Sequence, residues 1–179
     1  TYVVIDSAGN TSAASSGSVI TVDFTAPDAP TAPDLVANDD SGISDSDNLT
    51  NLSTMNITTS GLNEGDFGLL YKVDGTPSTT LIDSVIVPNS GILTYAVENI
   101  LDGAFDFYVT ATDVAGNRSV NSAITEITID QTAPDVSGVV IDLDDGSDTG
   151  FKNNDNLTND TSPTFTVSSL VPTDSVYIY

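Results

Sequence analysis

Apolar and polar residues alternate along most of this chain, and no stretch keeps the three-to-four spacing of a helix. Alternating runs bounded by Gly, Pro, Asn or Asp predict strands, here lettered in order. Strand A covers about 31–37 and strand B about 53–60, with Met55, Ile57 and Thr59 in alternation. Strand C covers about 67–73 (Phe67, Leu69, Tyr71, Val73) and ends in the turn Asp74-Gly75. Strand D covers about 79–87, stopped by Pro88-Asn89-Ser90-Gly91, and strand E about 92–97. Strand F covers about 104–112, with Phe105, Phe107, Val109 and Ala111 on one face. Strand G covers about 121–130, with Ile127 and Ile129 on one face.

Seven short strands with regular turn signals predict an all-β fold, a seven-stranded immunoglobulin-like β-sandwich. The chain has no Trp and no Cys, so the buried Trp and disulfide of antibody-type domains are absent. An internal repeat sets the domain organisation. Thr25-Ala26-Pro27-Asp28 returns at Thr132-Ala133-Pro134-Asp135, and Asp47-Asn48-Leu49-Thr50-Asn51 returns at Asp155-Asn156-Leu157-Thr158-Asn159. Ser7-Ala8-Gly9-Asn10 likewise returns as Val114-Ala115-Gly116-Asn117, giving a period of 107–108 residues. The reading is of tandem repeats with incomplete ends: 1–26 the last strands of one repeat, 27–133 a complete repeat, 134–179 the first strands of another. Thr1 to Ile5 already reads as the middle of a strand, as in a piece of a longer protein.

If successive strands run antiparallel, the A–B loop (38–52), C–D turn (74–78) and E–F loop (98–103) share the end where strand G leaves. The B–C loop (61–66) and F–G turn (113–118) share the end where the chain enters. Each linker, 23–28 or 130–135, then lies between the A–B loop of one repeat and the F–G turn of the next.

Charge changes what those joints mean. The chain carries 26 Asp and Glu, all but three of them Asp, against three Lys and Arg, for a net charge of −23. Nucleic acid is excluded as a partner, because affinity for it comes from cations neutralising phosphate. Insertion into a membrane finds no apolar run long enough. With neither His nor Cys, the common general bases and nucleophilic pairs cannot be assembled, so no enzyme is expected. The preference for Asp, the short carboxylate of tight oxygen-ligand loops, points to calcium ahead of halophilic solvation.

Two carboxylates about 4 Å apart repel by roughly 4 kcal/mol at an effective dielectric of 20, and Ca²⁺ would convert that repulsion into binding. Candidate ligands recur between the two copies of the A–B loop. Asp34, Asp40, Asp47 and Asn48 return as Asp142, Asp148, Asp155 and Asn156, while Asp45 meets Asn153. Gly42 returns as Gly150, fitting a tight turn around an ion. Around the linkers Asp23 and Asp28 return as Asp130 and Asp135. Asp113 and Asn117 are further candidates, matched by Asp6 and Asn10, with an Asx-stabilised hairpin turn as the alternative. Asp39 meets Ser147 and is a weaker ligand; Asp66 and Asp174 recur but read as solvated. These loops are not EF-hands, lacking that motif's Gly position and terminal Glu. Any single Asp or Asn here could equally be turn chemistry, and Lys72 reads as a snorkelling surface lysine rather than an isopeptide donor.

The ordered set Thr25–Asp28 (TAPD), Asp34–Gly42 (D-x₅-D-x-G), Asp47–Asn51 (DNLTN), Leu101–Phe105 (L-D-G-x-F) and Ala111–Asn117 (A-T-D-x-A-G-N) resembles the bacterial Ig-like repeats of giant Gram-negative surface adhesins. The resemblance spans essentially the whole chain and is carried by the set rather than by any one piece. It departs at Met55, where the third repeat has Pro163, and at Val36-Ala37, where the third has Asp144-Asp145, so the first loop is the poorer calcium candidate. The resemblance implies an extracellular, cell-surface, RTX-type or Bap-like extender segment secreted by a type I system. It further implies calcium at the joints, neighbouring Ig-like repeats of the same chain as partners, and a role in adhesion or biofilm formation. Two other readings are a glycan- or protein-binding module and a subunit that self-associates into extracellular filaments or a surface layer.

Overall fold

The computed structural model describes residues 1–75, 78–171 and 174–177. The expected C–D turn at 74–78 therefore lies partly, at Thr76 and Pro77, outside the described residues. The chain forms two compact units, Thr1–Gln131 and Thr132–Tyr179. Among the described residues every regular element is a strand: β1 (Asp34–Leu35), β2 (Leu49–Thr50), β3 (Met55–Thr59), β4 (Phe67–Val73), β5 (Thr79–Ile86), β6 (Leu93–Val97), β7 (Gly103–Thr112), β8 (Thr125–Ile129), β9 (Val140–Leu143) and β10 (Phe165–Ser168).

In the first unit β1, β3 and β6 form one sheet in the order β1-β3-β6, and the opposing sheet runs β2-β8-β7-β4-β5. Among the described residues this repeat therefore has eight strands, one more than expected. The first strand is split: β1 pairs antiparallel with β3, and the chain then crosses so that β2 pairs parallel with β8. Asn48, at φ 59°, makes the crossing, and Leu49 and Thr50 are the short run that pairs beyond it. The expected strand D is the edge strand β5, alongside β4.

The core lies between the sheets. Tyr95 of β6, Met55 and Ile57 of β3, Phe107 and Val109 of β7, and Ile127 and Ile129 of β8 are fully buried. Each large apolar side chain so buried contributes roughly 1.5–3 kcal/mol. On β4 it is Leu70 that enters the core, so Phe67, Leu69, Tyr71 and Val73 take the opposite, outward face. Gly68 also faces inward, because a Cβ there would overlap Leu93 Cδ1 and sit 2.5 Å from Tyr95 Oη. The Tyr95 hydroxyl has no hydrogen-bond partner, and burial pushes its pKa up, helped by the charge of Asp83.

Residues 1–22 form two extended segments without an assigned strand, joined by Ser12 N–H to Val4 O and Ser15 N–H to Tyr2 O, both 2.8 Å. In the second unit β9 and β10 pair antiparallel, Leu143 opposite Phe165.

Candidate functional site

The A–B loop of the first unit is closed by its own carboxylates. Asp40, 5% exposed, accepts the Asn48 N–H at 3.0 Å on one oxygen and the Leu49 N–H at 3.2 Å on the other. Asn48 Oδ1 accepts the Leu35 N–H at 3.0 Å, tying the loop back to β1. Asp47 caps its own turn by accepting the Leu49 N–H. Gly42 donates to Leu49 O at 3.1 Å, and a Cβ on it would lie 3.2 Å from that oxygen. Close backbone approach, not an unusual φ, is what this glycine supplies. Short side chains with strong acceptors are what a turn needs to satisfy buried N–H groups.

The copy in the second unit repeats this wiring. Leu143 N–H donates to Asn156 Oδ1 at 2.9 Å, Gly150 N–H to Leu157 O at 3.1 Å, and Leu157 N–H to Asp155 Oδ1 at 3.3 Å. One difference stands out. Asp148 takes the Asp155 and Asn156 N–H groups on the same oxygen, Oδ2. Its Oδ1 is buried and has no hydrogen-bond partner, although the residue is only 4% exposed. A buried carboxylate oxygen without a donor is costly and calls for a cation or water.

The remaining candidates scatter. Asp34 and Asp142 stand exposed on β1 and β9, opposite Thr58 and Thr166. Asp45 and Asn153 are exposed on the outside of their loops, and Asp28 is exposed on the linker. Asp130 donates its N–H to Thr50 O at 2.9 Å, which seats the leaving linker against β2. Asp135 accepts the Ser137 N–H, and that bond lowers its pKa below the usual carboxylate value. In the second unit Asp142, Asp144 and Asp145 line a shallow depression with Thr166, whose hydroxyl donates to Asp144 and lowers its pKa. Among the described residues no group of three or more carboxylates is arranged to hold a metal ion by itself. A calcium ion here would need backbone carbonyls, amide oxygens and water to complete its six to eight oxygens. The Asp148 loop fits that requirement best; at Asp40 both oxygens are already engaged.

Asp113 and Asn117 form the Asx hairpin. Asp113 Oδ1 accepts the Ala115 and Asn117 N–H groups at 2.9 and 2.8 Å, and Asn117 Nδ2 donates to Oδ2 at 2.9 Å. The Asn117 side-chain bond, followed by these backbone bonds, holds the Asp113 carboxyl below the usual range. Gly116 turns the chain at φ 93°. Asp6 and Asn10 repeat the same bonds. The Asn117 amide also donates to Asp23 O at 3.1 Å, so the F–G turn grips the entering linker, where Asp23 caps Thr25.

Three functional details are not foreseen in the sequence. Asp39 accepts the Asn56 N–H and Nδ2, both at 2.7 Å, and Ser147 does the same job by accepting the Thr164 N–H at 3.0 Å. Ser119 and Ser122 accept the Ala111 and Val109 N–H groups, each at 2.9 Å, as Ser12 and Ser15 do for Val4 and Tyr2. Their signal is the spacing S-x-x-S after A-G-N, present in both copies. Asp66, read as solvated, is instead 7% exposed and accepts from Asn63 Nδ2.

No curated protein matches the chain. Among solved structures, the fibronectin type III domain of human fibronectin type III domain containing protein 3 is similar at 20% identity, with TM-score 0.43, over 70% of this chain and 97% of that one. A tetra-tandem repeat from the extending region of a large adhesion protein is similar at 18% identity, with TM-score 0.39, over 79% of this chain and 31% of that one. The family profile of the bacterial Ig-like domain matches twice, over residues 25–131 and again over 135–179. The sandwich of the first unit and the repeated acidic loops are thus those of successive modules of one kind, and the chain belongs to the bacterial Ig-like domain family.

Proposed function

We propose that this chain is an extender segment of a large bacterial cell-surface adhesin, built to hold a distant tip away from the cell and stiffened by calcium. Ig-like modules of one family follow each other along the chain. The observation that carries the stiffening is the buried, partnerless Asp148 Oδ1 at the centre of a loop rich in carboxylate and amide oxygens. Calcium there would be held by Asp148 together with amide and carbonyl oxygens of the 142–159 loop. The Asn117 bond to the Asp23 carbonyl supplies a metal-independent latch at the other joint.

Extracellular modules bind calcium with dissociation constants near 10⁻⁴–10⁻³ M, so tenfold excess adds about 1.4 kcal/mol per site. Calorimetric titration with CaCl₂, paired with thermal melts in calcium and in EDTA, tests the reading. Binding in that range and a melting midpoint a few degrees higher in calcium are expected, with both effects reduced in Asp148→Asn. Absence of binding heat together with superimposable melts contradicts it.

A further inference from the structure

One face of the first unit is built unlike a solvated sheet. Antiparallel sheets that meet water usually turn polar residues outward. Here β4 and β5 turn out Phe67, Tyr71, Leu81 and Ile86, with Phe67 40%, Leu81 47% and Ile86 61% exposed. Phe67 stands opposite Ile86 and Tyr71 opposite Leu81, so the apolar side chains form one continuous stripe across the two strands.

The same face is polarised along β7. Tyr108 stacks on Tyr71, with ring centroids 5.0 Å apart. Arg118 lies over the Tyr71 ring at 5.0 Å and donates Nε–H to Thr110 Oγ1 at 3.2 Å. This cation is one of only three in a chain with 26 acidic residues. Toward the start of β7 the sign reverses, because Asp106 stands opposite Glu126 of β8, both on the outward parity. Thr110 and Asp106 are four residues apart, so the two charged zones are separated by about 13 Å along the strand.

We propose that this face is a self-recognition surface, and that its occupant is a second copy of the same face. A two-fold axis lying in the interface, at right angles to the strands, keeps lateral position and reverses strand direction. Such an axis sets stripe against stripe and brings Arg118 of each copy onto Asp106 and Glu126 of the other. An isologous contact of this kind is self-complementary by construction. One face of this size gives a weak pair, which successive repeats in a longer array would multiply through avidity. The contact uses none of the acidic loops and does not depend on calcium.

Sedimentation of the whole chain over a concentration series up to about millimolar, in calcium and in EGTA, tests the assignment. A dimer that forms equally in both is expected. Leu81→Lys with Ile86→Lys, which leaves the Tyr71–Arg118 contact intact, should weaken the dimer at least about tenfold. Arg118→Asp alone and Asp106→Arg with Glu126→Arg should each weaken it likewise, while an equimolar mixture of those two chains should form heterodimers, because both salt contacts are restored. A chain that stays monomeric overturns the assignment, whether or not the face takes up a glycan or another protein. So does a dimer untouched by Leu81→Lys with Ile86→Lys, which would assign association to other exposed segments such as Val19–Phe24.

Discussion

At the residue scale, the carboxylates of this chain are first of all backbone acceptors. Asp40, Asp148 and Asp113 each take two backbone N–H groups that a tight loop would otherwise leave unsatisfied. The bonds around Asp113 favour its charged form, so its folded pKa lies below the ordinary value of about 3.9. A depressed folded pKa contributes stability that is present above that ordinary value and lost as pH falls through the folded one. Thermal melts from neutral pH into acid should therefore show a smaller loss of melting midpoint for Asp113→Asn than for the parent chain. Equal losses would show that the turn adds nothing to acid sensitivity. The sequence displays which Asp and Asn recur, but not whether they serve N–H groups or an ion. Both tasks select the same short oxygen-bearing side chains. Only the loop geometry separates Asp148, with a spare buried oxygen, from Asp40, whose two oxygens are both engaged.

At the element scale, alternation gives the strands well: expected strand C at 67–73 coincides with β4, and strand F at 104–112 nearly coincides with β7. It does not say which parity faces in. On β7 the apolar set Phe107, Val109 and Ala111 is buried, whereas on β4 it is Leu70 that is buried and the aromatic-rich set that faces out. Both parities of β4 contain apolar residues, so a period of two cannot choose between them. The short β2 hides inside DNLTN because two residues carry no alternation at all. Past the F–G turn, Ser119 and Ser122 accept β7 N–H groups with their hydroxyls. Ser122→Ala removes the side-chain acceptor of the buried Val109 N–H and should destabilise the first unit by about 1–3 kcal/mol. Urea denaturation checks this; an unchanged midpoint would mean that the Ser122 hydroxyl is dispensable.

At the scale of the whole molecule, recurrence is the dominant fact. The same motifs return after 107–108 residues, and the same hydrogen bonds return with them. An extender needs modules that fold alike and joints that resist bending, and the two ends of the first unit show how joints are seated. Asn117 reaches the carbonyl of Asp23 in the entering linker, and Thr50 receives the N–H of Asp130 in the leaving one. Calcium, in the proposed function, completes what these bonds begin. Small-angle scattering from the whole chain, at a concentration low enough to keep it monomeric, is the most direct measurement of that claim. The account predicts a longer maximum dimension and a narrower distance distribution in calcium than in EGTA, with Asp148→Asn shifted toward the EGTA profile. Identical profiles in calcium and EGTA would contradict it.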